Sequence, residues 1–304
     1  MGKVIAVCIS EQRGTQKKNV GQALFLENYG IEGDAHAGNW HRQVSLLCYE
    51  KIEEFRQKGA QVSDGAFGEN LVVEGIDFRR LPVGTLLRCG EAVLEITQIG
   101  KECHSHCEIY HKMGECIMPK EGIFARVAHG GKICAGDEME ISYRAAVITA
   151  SDKGFRGERE DLSGPAACKY LEQAGWSVVL QKILPDEREA LSEEMRRICD
   201  EGKADLILTT GGTGFSPRDI TPEATADILE RAVPGIPEAI RAYSMQITGR
   251  AMLSRATAGI RKKTLIINLP GSPKAVAESL EYILPHLSHG IEILTGIQAE
   301  CARR

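Results

Sequence analysis

No apolar run in the 304-residue sequence reaches the roughly 18 residues needed to cross a bilayer, so no membrane-spanning helix is expected. The opening MGKVIAVCIS lacks a charged leader, a long apolar core and a cleavage site. No signal peptide is read there, and a cytoplasmic protein is expected. Basic charge is not in excess: 37 Lys and Arg stand against 42 Asp and Glu, a net charge of −5, which argues against nucleic acid as the main partner. Low-complexity segments, internal repeats and strong charge segregation are absent. The ten cysteines lack the setting of a disulfide scaffold, because the chain is long enough to build a core and has no leader. Seven of them precede residue 140, and reduced thiols with a chemical role are the expected reading.

What is present is a change of pattern near 141–145, without a Gly/Ser/Pro linker. Two domains, 1–143 and 144–304, are expected. In the first, KVIAVCIS, RQVSLLC, NLVVEG, GTLLRCG, AVLEITQIG and DEMEI are short, rich in Val, Ile and Leu, and punctuated by glycine. One helix stands out, from about Tyr49 to Lys58, with Ile52 and Phe55 on one face and Gly59 after it. This predicts an all-β, barrel-like domain. In the second, the strands AAVITAS, WSVVLQKIL, ADLILTTGG and LIINLPG alternate with helices. Ser163 is the expected cap of the first helix, Leu191, Met195 and Ile198 mark the face of the second, TPEATADILERA forms the third, and Ser272 caps the last. The alternation predicts a three-layer αβα domain with a mostly parallel sheet.

Thr209-Thr210-Gly211-Gly212-Thr213-Gly214 follows directly on the buried strand ADLIL. A glycine turn at such a strand end lets backbone N–H groups approach an anion, and open α/β sheets bind ligands there. The turn is neither G-x-G-x-x-G nor a Walker A loop, since no Lys-Ser/Thr follows. Asp152, Asp186 and Asp219 each lie just past a strand or turn and are expected to converge on one cleft. Oxygen ligands of this kind suit Mg²⁺ bound together with substrate phosphates. The bland reading of each Asp is a turn or helix-cap residue.

The segments SDKGFRGEREDLSGP, LPDE, LTTGGTGFSPRDITPEAT, LSRATAGIRKKTLIINLPGSPKA and HGIEILTG resemble, in this order and spacing, the MogA/MoaB-type molybdopterin-binding domain, a family that includes the N-terminal domain of gephyrin. The resemblance covers about residues 144–297. It implies molybdopterin as ligand and, in the adenylyltransferase members, transfer of AMP from ATP to the terminal phosphate of the pterin. By motif, Asp186 and Asp219 match the two essential aspartates and would hold Mg²⁺ through the nucleotide. Thr210, Gly211, Gly212, Thr213 and Gly214 would cradle phosphate, and Ser254, Arg255, Gly271 and Ser272 line the same site. For Arg255 the bland reading is a surface charge, and for Ser272 it is the helix cap. Attack of a phosphate on the α-phosphorus of ATP needs alignment and charge neutralisation more than a covalent nucleophile, which suits these residue types. The resemblance also implies a homo-oligomer, a trimer, and other molybdenum-cofactor proteins as partners. The runner-up reading is a carrier that binds molybdopterin or its molybdenum cofactor without reacting it. Whether molybdenum or tungsten is the metal is open.

GDAHAGNWHRQVSLL, FGENLVVEGID, LPVGTLLRCGEAVLEITQIGKEC and GIFARVAHGGKICAGDEMEI resemble the MOSC domain over about residues 3–141. This implies a β-rich domain that binds the cofactor or carries sulfur on a cysteine. That cysteine maps to Cys103, with Cys107 close enough to leave the assignment open, and a persulfide on Cys103 is the implied chemistry. In ECHSHCEIYHKMGEC, Cys103 and Cys107 with His104, His106 and His111 also fit a zinc site, and inert thiols are the third reading. Lys101 would favour thiolate. His36 and Arg42 are the expected anion contacts. Cys8, Cys48 and Cys89, in or beside apolar strands, are expected to be buried and slow to react.

Overall fold

The computed structural model describes residues 1–102 and 113–297. Cys103, Cys107 and the three histidines beside them lie outside the described residues. The chain divides into two compact units, Met1–Ser142 and Tyr143–Arg304.

The first unit is built from β1 (Gly2–Ile9), β2 (Lys18–Asn19), β3 (Gln22–Leu26), β4 (Gly30–Ile31), β5 (Val44–Cys48), β6 (Leu71–Glu74), β7 (Leu86–Cys89), β8 (Ala92–Ile99), β9 (Ile123–His129), β10 (Gly131–Cys134) and β11 (Glu138–Ser142), with helices α1 (Tyr49–Gln57) and α2 (Met118–Glu121). Seven strands close a ring in the order β1–β6–β5–β9–β8–β7–β11, and β11 returns to pair with β1. All pairings in the ring are antiparallel except β5 with β6. Closure removes the exposed edges that an open sheet would carry. The interior is apolar. Ala6, Cys8, Leu47 and Val72 from the strands meet Ile52 and Phe55 of α1, and the Phe55 ring stands edge-on to Phe67 at 5.4 Å.

The Glu69 carboxylate is buried in this unit with no cation hydrogen-bonded to it among the described residues. Glu69 is fully inaccessible and accepts hydrogen bonds from the backbone N–H of Gly65 (2.7 Å) and Phe67 (3.0 Å). Burial pushes its carboxyl up to about 7, and those amides offset only part of the shift. Between the unfolded value near 4.5 and about 7, the folded state therefore binds more protons than the unfolded one. Stability should fall as pH rises through that window, by about 3 kcal/mol in total. Denaturant unfolding at pH 5 and pH 8 checks this: Glu69→Gln should flatten the difference, and an equal slope in both proteins would refute it.

The second unit carries β12 (Arg144–Ala150), α3 (Asp152–Phe155), α4 (Ser163–Gln173), β13 (Ser177–Leu184), α5 (Arg188–Asp200), β14 (Leu206–Thr210), α6 (Thr221–Ala226), β15 (Arg231–Ala232), α7 (Gly235–Met245), β16 (Ala258–Arg261), β17 (Thr264–Leu269) and α8 (Pro273–Thr295). Its sheet runs β13–β12–β14–β17–β16–β15. The first three pairings are parallel, and β17–β16 and β16–β15 are antiparallel. Leu191, Met195 and Ile198 of α5 are fully buried against Ile148, Ile207 and Ile266 of the sheet. Ser272 caps α8, its hydroxyl accepting from Ala275 N–H. Among the described residues, no helix is long and apolar enough to cross a membrane.

Three local expectations are corrected. Ser163 is the first residue of α4 and not its cap; the carboxylate of Asp161 takes the N–H groups of Ser163 and Gly164, both at 3.0 Å. An Asp two residues earlier reaches two orphan amides where the Ser reaches none. The helix expected over TPEATADILERA stops at Ala226, because Arg231 and Ala232 pair with β16 instead. Cys48 is half-buried where full burial was expected, whereas Cys8 and Cys89 are buried.

Candidate active site

β14 ends at Thr210, and the chain turns through Gly211 and Gly212 with φ of +92° and +61°. Only glycine adopts such angles cheaply, and space forbids a side chain as well. A Cβ on Gly211 would stand 2.4 Å from the Ala150 carbonyl at the end of β12. On Gly212 it would meet Thr221 Oγ1 at 2.3 Å and Asp186 Oδ1 at 3.3 Å, and on Gly214 it would meet Asp219 Oδ2 at 2.8 Å. The glycines are thus what lets both carboxylates come up to the backbone of the turn. Gly271 belongs to the same cluster, its Cβ position lying 3.3 Å from Gly211 Cα. Thr210 ties the two strand ends together by donating to the Pro270 carbonyl at 2.7 Å.

Asp186 follows β13. Its Oδ2 accepts from Asp152 N–H at 2.8 Å, and Asp186 N–H returns a bond to Asp152 Oδ1 at 3.1 Å. Asp219 Oδ2 accepts from Ser216 N–H at 2.9 Å. Each of Asp186 and Asp219 keeps an Oδ1 with no hydrogen bond from the described residues. Burial, followed by the neighbouring charges of Asp152 and Asp219, raises the Asp186 carboxyl above its ordinary value.

Asp152 does not join them as a third free carboxylate. Arg218 grips it from Nε (2.9 Å) and Nη2 (2.8 Å), which holds its carboxyl below the usual range. No group of three His, Cys, Asp or Glu able to hold a metal is found among the described residues. The convergence expected from the sequence reduces to a pair, with the third acid neutralised by a fork-shaped cation.

Of the other residues chosen from the sequence, Thr213 is buried in the turn and its carbonyl accepts from Arg255 N–H at 3.0 Å. The Ser254 hydroxyl is used locally, accepting from Ala256 N–H at 3.3 Å, and that of Ser272 is used at the α8 cap. Arg255 points its guanidinium at the loop between Gly214 and Asp219. Sequence reasoning missed Thr221. Its hydroxyl is fully buried beside Gly212 and Asp186 and has no partner. The only signal was its place two residues after Asp219.

In the first unit, a cleft of about 1700 Å³ is lined in part by His36, Trp40, Arg42, Ser45, Asn70 and Lys101. Arg42 lies 5.0 Å from the Trp40 ring centre and 5.6 Å from that of Phe124, and its Nε is buried without a partner. Behind His36 sits a polar knot. Asp34 and Lys17, both inaccessible, form an ion pair; Asp34 also accepts from Asn70 Nδ2 (2.8 Å) and His36 N–H (2.8 Å), and His36 Nδ1 is 3.3 Å from Lys17 Nζ. Both residues expected from the sequence as anion contacts, His36 and Arg42, line this cleft. The sequence did not reveal that Lys17 and Asn70, 17 residues before Asp34 and 36 after it, hold that wall.

Burial raises the thiols of Cys8 and Cys89 to about 12 and those of Cys168 and Cys199 to about 11. Cys48 reaches about 11 through burial and the Glu50 carboxylate that accepts its S–H. Since thiolate is the reactive species, all five should alkylate at least about 100-fold more slowly than an ordinary thiol at neutral pH. Peptide mapping after brief alkylation reads this, and rapid labelling of Cys48 would contradict it.

The glycine turn follows an interior parallel strand with two half-free carboxylates against it, which defines an α/β protein whose strand ends form the kind of crevice where open α/β sheets bind ligands. Comparison with known proteins makes the class particular. Residues 146–289 match the family model of the probable molybdopterin binding domain, and residues 33–140 match that of the MOSC domain. The molybdopterin adenylyltransferase of Helicobacter pylori (strain ATCC 700392 / 26695) is 41% identical over 152 residues, 49% of this chain and 86% of that protein. That of Escherichia coli (strain K12) is 37% identical over 140 residues, 45% of this chain and 72% of its own. A solved structure of the molybdopterin biosynthesis enzyme MoaB from Thermus thermophilus is 47% identical, covering 51% of this chain and 97% of that one, with a TM-score of 0.49. The chain belongs to the MogA/MoaB-type molybdopterin-binding family and carries a MOSC domain ahead of that region.

Proposed function

We propose that residues 144–304 transfer AMP from ATP to the terminal phosphate of molybdopterin in molybdenum-cofactor biosynthesis, and that the reaction requires Mg²⁺. The observation that carries the reading is the pair Asp186 and Asp219, each held by a backbone N–H through one oxygen and free at the other, against a turn that admits no Cβ. The residues fit a Mg²⁺–phosphate group. Asp186 and Asp219 each leave one carboxylate oxygen open, Gly212 and Gly214 form a cradle that a side chain would fill, and the Thr221 hydroxyl is an orphaned buried donor at its edge. Asp186 and Asp219 would hold the ion, which supplies charge neutralisation on the phosphates. The backbone of Gly211–Gly214 positions the anion, and the turn excludes side chains that would displace it. Arg218 keeps Asp152 neutralised, so that two carboxylates and not three face the ligand.

The test is incubation of the full chain with molybdopterin, ATP and Mg²⁺. Adenylyl-molybdopterin by mass analysis and released pyrophosphate are expected. Pterin binding without either product would instead establish a non-catalytic carrier. The MOSC region is proposed to handle the cofactor or its sulfur, with His36 and Arg42 as anion contacts and Cys103 or Cys107 as the thiol. The alkylation map, run with and without chelator, separates the readings. Fast labelling of Cys103 without chelator supports a thiol or persulfide role, labelling only after zinc release supports a metal site, and none in either case overturns both. A cytoplasmic trimer is part of the same proposal, and a monomer by light scattering at micromolar concentration removes the trimer.

A further inference from the structure

Arg255 is half-buried, and every nitrogen of its guanidinium is engaged by the protein. Nε donates to the Gly214 carbonyl at 2.7 Å, Nη2 to the Asp219 carbonyl and Nη1 to the Glu223 carboxylate of α6. Its own N–H donates to the Thr213 carbonyl. Gly214 and Asp219 are the two ends of one irregular loop whose middle, Phe215 to Arg218, is exposed. Inside that loop the bonds are few and local: Asp219 N–H to Ser216 O (2.8 Å), Ser216 N–H to Asp219 Oδ2, and Arg218 N–H to Ser216 Oγ (3.3 Å). They shape the loop without tying it to the sheet. Two forks tie it down: Arg218 reaches out of the loop to grip Asp152 just after β12, and Arg255 joins the start of the loop, its end and the first turn of α6 in a single planar fork. Lysine has no such fork.

We propose that Arg255 is a positioning residue that clamps the Gly214–Asp219 loop and so fixes where the Asp219 carboxylate stands, and that it is not a phosphate contact. This rests on the reading of Asp219 given above. The alternative role makes a different kinetic pattern. A residue that binds substrate phosphate, when lost, raises KM and leaves kcat, and a Lys keeps part of the charge. A lost clamp lets Asp219 wander, so kcat falls and more Mg²⁺ is needed, while ATP is still bound elsewhere.

The experiment uses the full chain carrying Arg255→Gln or Arg255→Lys. Amide hydrogen exchange should show the Ser216 and Asp219 amides exchanging about tenfold faster or more in both variants, with β12 and β14 unchanged. Adenylyl transfer should lose about tenfold or more in kcat, with a raised half-saturating Mg²⁺ concentration and KM for ATP within about threefold of the parent. Arg255→Lys should not rescue it. Glu223→Gln, which loosens one arm only, should give a smaller rise in exchange and serves if Arg255→Gln fails to fold. Unchanged exchange, or a rise in KM alone that Lys corrects, overturns the clamp. If the parent itself forms no adenylyl product but exchange rises as stated, the clamp stands and the adenylyltransferase reading falls.

Discussion

Asp219→Asn is expected to leave the chain folded and to lower kcat for adenylyl transfer by about 100-fold or more. The Asn amide oxygen can keep the bond from Ser216 N–H that Asp219 Oδ2 makes now. What the substitution removes is the negative charge and the second acceptor oxygen. Asp186→Asn should act alike, because it too binds one backbone N–H and leaves the other oxygen free. Both residues are only half-buried and Asn is nearly isosteric with Asp, so a change of thermal midpoint below about 3 °C is expected. Excess Mg²⁺ should recover part of the rate if charge loss at the metal is the cause. Should both variants match the parent at equal Mg²⁺, the magnesium assignment is wrong whatever the product analysis says.

The largest loss of stability is expected at Asp34. Its carboxylate is inaccessible and collects Lys17 Nζ, Asn70 Nδ2 and the N–H groups of Ser10 (3.4 Å) and His36. Burial alone would raise this carboxyl, but the bonds from His36 and Lys17 outweigh it and hold it well below the usual range. Its contribution is therefore present above the unfolded value near 3.8 and is lost only as pH falls through the lower folded value. Asp34→Ala strands an ammonium that is 1% exposed at its side chain, a loss of about 3–5 kcal/mol. The two tryptophans, Trp40 and Trp176, fall one in each unit, so Trp176→Phe leaves Trp40 fluorescence to report the first unit alone. Denaturant unfolding at pH 7 measures the effect. Adding Lys17→Met should return much of it, since the stranded charge is gone. A loss below about 1 kcal/mol for Asp34→Ala would show that the pair is not what holds this wall.

The sequence carried the two structural grammars because period and composition are local properties. The α5 face, the α8 cap and the glycine turn all stand within a few residues of their signals. What escaped is long-range or disguised. β3 reads poorly as a strand because it alternates exposed and half-buried residues, with only Phe25 fully buried. α7 begins Gly-Ile-Pro, which looks like a turn until Pro237 and Ile240 are seen to be buried. β15 exists only because β16 pairs with it, across a separation that no local pattern encodes. At the site, residue types announced Asp186 and Asp219. The partnership that takes Asp152 out of contention spans 66 positions. The unpartnered Thr221 hydroxyl is a property of the folded interior and has no counterpart in the order of residues.

The pairing that closes the ring sets Gly2 against Met139 and Lys3 against Glu138. β6 can pair with one edge of β1 midway through the unit, but a ribosome must make nearly the whole unit before β11, which closes the ring on β1, exists, and at about 5–20 residues per second this takes several seconds or more. Until then the chain offers an unclosed sheet with a bare edge, a state prone to pair with other nascent chains. The second unit pairs β12 with β13 and β14 within about seventy residues of its start, so its wait is shorter. Yield on expression is thus expected to hinge on the first unit, and slower elongation or a trigger-type holdase should change the recovery of whole chain far more than that of residues 144–304 alone.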